Sequence, residues 1–274
     1  FIDQEGGRVQ RLRAPLARDW LPPLDHVTRA GPENAESALY LRYRLIAHEL
    51  RGLGIDGNCA PLTDLAGPET HPFLKNRCYG PEPETVARLG RAVAQAHLDG
   101  GVLPVLKHIP GHGRATADSH HDLPRVETDA TTLAATDFAP FRALNDLPLG
   151  MTAHLVYAAL DERPATLSPP VMRVIRDEIG FDGLVMTDDI SMKALHGRLS
   201  DLSRASIAAG CDVVLHCNGT LAERAEVAEA AGRMGAAAQA RAEAALAARQ
   251  TPAALDIEAT EADLARLMGG QVYG

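Results

Sequence analysis

The sequence predicts an α/β fold on a parallel sheet, with a (β/α)8 barrel favoured over a doubly wound sheet. Two observations carry this. Short apolar runs alternate with stretches of helical periodicity, and successive runs lie about one βα unit apart. Polar residues also stand where nearly every apolar run ends: Asp3, Asp64, Lys107, His154, Asp188 and His216. A barrel gathers the loops after many strands around one site, so a ring of polar strand ends suits it. A doubly wound sheet would concentrate them at one switch point.

In chain order, Phe1-Ile2 reads as the tail of an apolar run, cut from inside a domain. Asp3 to Arg11 is a polar turn around Gly6-Gly7. Glu33 to Arg51 carries Leu41, Leu45, Ile46 and Leu50 at helical spacing, with Gly52 and Gly54 to end it. Ile55 to Pro61 is a strand, followed by a long Gly/Pro-rich connection holding Arg77; a connection of that length is often functional. A helix from Glu84 to Leu98 leads into the strand Val102 to Leu106. Asp129 to Leu144 reads as one helix and Leu149 to Leu155 as a strand. Ser168-Pro169 starts a helix that ends at Gly180. Gly183 to Thr187 is the strand that delivers Asp188-Asp189. A short helix, Ser203 to Ala209, precedes the last strand, Cys211 to Cys217. Leu221 to Leu267 is Ala- and Glu-rich and helical, broken near Thr251-Pro252.

The 274 residues are read as a single domain over 1–274. Aromatics make up only 4%, so Ala, Leu, Val and Ile must build the core. The net charge of −9 argues against nucleic acid or an anionic membrane as partner. Cys59, Cys78, Cys211 and Cys217 lack metal-ligand spacing; Cys59 and Cys211 read as small buried hydrophobes in a reduced compartment. No window is long and apolar enough to span a membrane.

The densest chemistry lies at Lys107-His108-Ile109-Pro110-Gly111-His112-Gly113 and Asp118-Ser119-His120-His121-Asp122. Three readings compete: a solvated loop, a metal cluster of His108, His112, His120 and Asp118, or a catalytic loop. The loops Asp3 to Arg11 and Thr187 to Met192 favour the third. A carboxylate at a strand end, a second acid/base group and a basic clamp suit glycoside hydrolysis with retention. The second group here is histidine beside aspartate, a workable acid/base near neutral pH.

Together the runs Ile2-Asp3-Gln4-Glu5-Gly6-Gly7-Arg8-Val9-Gln10-Arg11, Lys107 to Gly113, Asp118-Ser119-His120 and Thr187-Asp188-Asp189-Ile190-Ser191-Met192 resemble bacterial β-N-acetylglucosaminidases of glycoside hydrolase family 3. The resemblance runs from the first residues through Asn218. It implies a TIM-type barrel that removes terminal β-linked N-acetylglucosamine, typically from muropeptides in cytoplasmic cell-wall recycling. It places the nucleophile on Asp188, the acid/base on His120 and its dyad partner on Asp118. Sugar binding falls on Asp3, Arg11, Arg77, Lys107 and His108. No cofactor or metal is implied. The partner is a small carbohydrate, an N-acetylglucosaminyl muropeptide, and a monomer is expected. Thr187 stands where serine is more usual, and Ile109 where phenylalanine is common. Two strands and most of a third precede the Asp3 motif in the family barrel. At ~30 residues per βα unit, roughly 60 residues are expected to be missing, leaving five full strands, a stub, unpaired edges and exposed apolar surface.

Other readings stay open beside this one. Glu5 reads as solvated or backbone-bonded, His112 as structural, His121 and Asp122 as exposed. His154 and His216 divide between packing and pocket lining, and Asp189 is the rival to Asp188. A phosphorylase, a metal-dependent hydrolase and an inactive sugar-binding fragment are the alternative functions.

Overall fold

One parallel sheet of five short strands organises the chain, and the strands follow each other in the sheet as they do in sequence. The computed structural model describes residues 1–116 and 123–274. The chain opens on an antiparallel hairpin, β1 (Gln4–Gly6) and β2 (Val9–Gln10), where a plain turn was expected. Gly6 and Gly7 make its bend at φ 108° and 59°. A Cβ on Gly6 would meet the Arg42 guanidinium, so only glycine fits. Helix α1 (Pro23–Ala30) follows, too short for its periodicity to have been read. Next come α2 (Ala35–Gly52), the expected helix, and β3 (Gly57–Asn58). The strand expected over Ile55 to Pro61 is regular only at those two residues. The run still tracks its neighbour, with the Ala60 and Pro61 carbonyls accepting from Val105 and Lys107 N–H, but Pro61 has no N–H to give.

The long connection contains α3 (Pro72–Lys75), and α4 (Pro83–Asp99) leads to β4 (Leu103–Ile109), buried throughout. After β5 (Arg125–Val126), the single helix expected from Asp129 to Leu144 is two: α5 (Ala130–Ala135) and α6 (Ala139–Ala143). The break falls at Asp137, whose carboxylate accepts from Thr136 Oγ1 and Arg114 Nε at 2.7 Å each, and Pro140 starts the second helix. Strand β6 (Leu149–Thr152) stops three residues short of the expected Leu155. The chain then forms β7 (Val156–Tyr157), which pairs with β5 in a separate two-stranded sheet. Ser168 caps α7 (Pro169–Arg173) by accepting from Val171 N–H, and the helix runs on in π form over Val174–Glu178. The remainder is β8 (Leu184–Asp189), α8 (Leu199–Ala209), β9 (Val213–Leu215), α9 (Leu221–Ala231), α10 (Ala236–Ala247) and α11 (Ile257–Leu267).

The sheet order is β3-β4-β6-β8-β9, every pair parallel. Ile2 adds one parallel bridge to Asn58 beyond β3. Among the described residues the strand order does not reverse and gives no switch point, so the sheet is the arc of a (β/α) barrel rather than a doubly wound sheet. Among the described residues it is a partial barrel of five strands and the Ile2 stub.

The convex face is covered by Phe138, Phe141, Ile175 and Phe181 packed on Leu106 and Val185. A second core joins α2, α4 and α11 through Leu39, Ile46, Leu89, Val93 and Leu264. The concave face differs from expectation: Leu103, Val105, Leu149, Met151, Leu184 and Met186 are covered by Ala242, Ala245 and Ala248. Helix α10 crosses the N-terminal end of the sheet. Arg241 pairs with Asp182 and Asp212, ahead of β8 and β9, and Arg249 with Asp56, ahead of β3. Alanine lets the helix lie close against that layer. This closes the N-terminal end and leaves the C-terminal end open for a site. Cys59, Cys78 and Cys211 are buried and Cys217 is exposed, all as free thiols. Among the described residues no helix is long and apolar enough to cross a membrane.

Candidate active site

At the C-terminal end of the sheet lies a cavity of ≈ 550 Å³, whose walls include Asp3, Arg11, Arg77, Lys107, His108 and Asp188. Six of the eight residues singled out from sequence therefore meet in one place. The other two, Asp118 and His120, lie outside the described residues, as do His121 and Asp122.

Strand β4 brings the basic pair. In a regular strand Lys107 and His108 would point to opposite faces, yet both reach the cavity. The register against β6 shifts between Lys107 and Ile109, and an irregularity of this kind re-aims side chains at a barrel rim. Lys107 is 1% exposed; its Nζ lies 3.0 Å from Asp3 Oδ1 and 2.5 Å from Glu5 Oε1. Burial is the largest single influence and favours the neutral amine, but Glu5 and Asp3 together outweigh it and raise the Lys107 pKa.

Glu5 corrects the sequence reading. It is neither solvated nor merely backbone-bonded: its side chain is 1% exposed and takes a two-pronged bond from Arg77, Nε to Oε2 at 2.9 Å and Nη2 to Oε1 at 2.8 Å. Burial pushes the Glu5 carboxyl up, and Arg77 with Lys107 more than reverses it, so its pKa is lowered. Asp3 behaves alike, raised by burial and lowered further by Lys107 and Arg11, whose Nη2 is 3.1 Å from Asp3 Oδ2. Arg77 also lies over the Phe73 ring, 5.2 Å from its centroid, and Arg8 lies over the same ring at 3.6 Å.

Asp64, named from sequence only as a polar strand end, is fully buried beneath His108. It accepts from His108 Nδ1 at 2.7 Å and from the His112 backbone N–H at 2.6 Å. Burial raises its pKa, and His108 and His112 lower it more. The proton on Nδ1 turns Nε2 toward the cavity, 3.9 Å from Asp188 Oδ2. His112 fixes this loop through its backbone; burial, then the neighbouring His108, drops its pKa to about 4. His108 and His112 stack edge-on at 5.5 Å. Among the described residues no three His, Cys, Asp or Glu side chains gather as metal ligands.

Strand β8 separates the two adjacent aspartates. Asp188 faces the cavity. Burial raises its pKa, but His108, His154, the Asp189 N–H at 2.8 Å and Lys107 lower it below the ordinary carboxylate value. Asp189 ties the next two loops together, accepting from Ser191 N–H and Oγ, Cys217 N–H and Asn218 Nδ2. His154 packs rather than binds: Nε2 meets the Asp189 carbonyl at 3.1 Å and Nδ1 meets Thr166 Oγ1 at 2.7 Å. A carbonyl can only accept, so Nε2 carries the proton. His216 packs 3.6 Å from Asp189 Oδ1 and borders a second cavity beside α9.

The arrangement is an ionised carboxylate in a cavity that it shares with Arg11, Arg77 and Lys107 and with a histidine that has one ring nitrogen facing inward. A family model, the glycosyl hydrolase family 3 N-terminal domain, matches residues 1–249. The chain belongs to that family. A curated β-hexosaminidase of Alkalilimnicola ehrlichii is 40% identical over 79% of this chain and 64% of its own length. One from Thiobacillus denitrificans is 36% identical, over 79% and 62%. The chain thus spans somewhat under two thirds of these relatives. Among solved structures, a glycoside hydrolase family 3 β-N-acetylglucosaminidase from Paenibacillus superposes with a TM-score of 0.84 at 30% identity, covering 97% of this chain and 55% of that one. NagZ from Neisseria gonorrhoeae, in complex with N-trifluoroacetyl-D-glucosamine, gives 0.81 at 32%, covering 97% and 80%.

In this family-3 domain, Glu5 and Asp64 are the site residues that sequence reasoning missed. The signal for Glu5 was its place beside the glycine pair; that for Asp64 was its strand-end position.

Proposed function

We propose that the chain carries the catalytic site of a retaining β-N-acetylglucosaminidase, within a single barrel domain. Asp188 attacks the anomeric carbon and forms a glycosyl ester. His120, oriented by Asp118, protonates the leaving oxygen and then activates water. Asp3, Arg11, Arg77, Lys107 and His108 hold the sugar hydroxyls and acetamido group. The observation that carries this reading is the place of Asp188 at the strand end, on a cavity whose walls also include those five residues, with His108 Nε2 3.9 Å from its Oδ2. A nucleophile must be ionised at neutral pH, and a neutral, polyhydroxylated ligand needs a fixed set of donors and acceptors.

The family and the β-hexosaminidase relatives support hydrolysis of a terminal N-acetylglucosaminide. The proposed substrate is an N-acetylglucosaminyl muropeptide met in the cytoplasm, acted on by a monomer. A 2-fluoro glycoside with a good leaving group tests the assignment by trapping the ester. The adduct is expected on Asp188. An adduct on Asp189, or turnover with no adduct, refutes it.

A further inference from the structure

Two of the proposed sugar ligands are held in place by a residue that cannot itself touch the ligand. The geometry points to Glu5 as a positioning residue that sets where Arg77 and Lys107 present their donors to the sugar. This rests on the reading of Arg77 and Lys107 as sugar ligands.

Glu5 is anchored from behind. Its carbonyl accepts from Arg42 Nη2 at 2.5 Å and Tyr43 Oη at 3.2 Å, both buried. Its carboxylate lies beneath the wall of the cavity and does not line it. One edge of the Arg77 guanidinium, Nε–H and one Nη2–H, is committed to Glu5. Two parallel bonds fix both the plane and the roll of that group. Three N–H donors remain, aimed by the fork and by the ring of Phe73 below. Lys107 has three donors in all; one is used on Asp3 and one on Glu5, leaving one. Glu5 Oε1 is thus shared by both cations, 2.8 Å from Arg77 Nη2 and 2.5 Å from Lys107 Nζ. Like charges held this close need an anion between them. Pre-positioned donors spare the ligand the cost of ordering them, so the effect belongs to binding.

Glu5→Gln has the same shape but puts an NH₂ donor against one of two donors and removes the shared charge. It is expected to raise KM for an aryl N-acetyl-β-glucosaminide, and to weaken competitive inhibition by N-acetylglucosamine, by roughly tenfold to a hundredfold, while kcat changes far less. Arg77→Lys keeps the charge and discards the fork. If Glu5 acts through the fork, Glu5→Gln in the Arg77→Lys background should cost much less than in the wild type. Glu5→Asp retains the charge but sits one methylene short, and should recover part of the loss. It also takes over the whole comparison if Glu5→Gln does not fold.

All variants are measured in the full-length enzyme, with thermal melts beside the kinetics. Three results overturn the inference: KM unchanged in folded Glu5 variants, full additivity with Arg77→Lys, or a fall only in melting temperature and active fraction. If Arg77→Lys and Lys107→Met both leave KM unchanged, the sugar-clamp reading itself fails, and the role of Glu5 with it. A raised KM in those two beside an unaffected Glu5→Gln overturns the positioning role alone.

Discussion

Lys107→Met keeps most of the volume of the side chain, one heavy atom shorter, and deletes its charge. In the wild type, three cations (Lys107, Arg77, Arg11) enclose two carboxylates (Asp3, Glu5), a net charge of 3 − 2 = +1. The variant is neutral, and neither carboxylate is stranded, since Asp3 keeps Arg11 and Glu5 keeps Arg77. The stability cost should therefore fall below the ~3–5 kcal/mol typical when a buried ion pair is broken. Activity should suffer more. A charge-assisted hydrogen bond to the sugar contributes ~1.5–3 kcal/mol, so kcat/KM should drop roughly 10- to 150-fold. A second effect concerns Asp188. Its pKa is raised by burial and lowered by His108, His154, the Asp189 N–H and Lys107. Without Lys107 it rises, so the acid limb of the pH–rate profile, where the nucleophile takes up a proton, should move to higher pH. The assay is kcat/KM for an aryl N-acetyl-β-glucosaminide from acid to neutral pH, with melting temperature as the folding control. An unchanged kcat/KM in a folded variant removes Lys107 from the site.

Asp64→Asn should leave the fold intact but free the His108 ring, lowering kcat/KM about tenfold, the loss of one charged hydrogen bond; equal activity would make Asp64 purely structural. His97 is fully buried, with Nδ1 donating to Val93 O and Nε2 accepting from Asn58 Nδ2, and burial drops its pKa from 6.5 to about 4. The unfolded chain then binds the proton first, so this stability is complete above pH 6.5 and is lost as pH falls toward 4. The full window corresponds to ~3 kcal/mol. His97→Gln should flatten melting temperature against pH across that window, and an unaltered slope would refute it. His120→Ala should cripple kcat/KM for a disaccharide far more than for an activated aryl glycoside, because a nitrophenolate leaves without a proton. Asp118→Ala should give a weaker version, and equal losses on both substrates would place the acid elsewhere.

The strands legible in the sequence were those with continuous apolar runs, such as β4 and β8, because burial on both faces demands that composition. What escaped was decided by partners distant in sequence. Glu5 is an acid beside a glycine pair until Arg77, 72 residues away, and Lys107 close on it. Asp64 meets His108 across 44 residues. The helix expected over Asp129 to Leu144 breaks because Asp137 turns inward to Arg114, 23 residues upstream. The hairpin β1–β2 is too short to show alternation; it forms because the Gln4 side chain receives the Arg11 and Leu12 N–H groups. Helix α10 was expected as a helix, but nothing in its alanines told that the concave layer of the sheet would be its partner.

The groups around Asp188 bear unequally on the two halves of the proposed reaction. His108, His154 and Lys107 all favour its ionised form. That attraction is lost when the carboxylate becomes a neutral ester and regained when the ester breaks. These neighbours therefore make Asp188 a weaker attacker and a better leaving group. They slow glycosylation slightly and assist deglycosylation. The first step then needs compensation at the other end of the breaking bond. A proton on the departing oxygen supplies it, so the more firmly the cavity holds Asp188 ionised, the more the reaction depends on an acid such as His120.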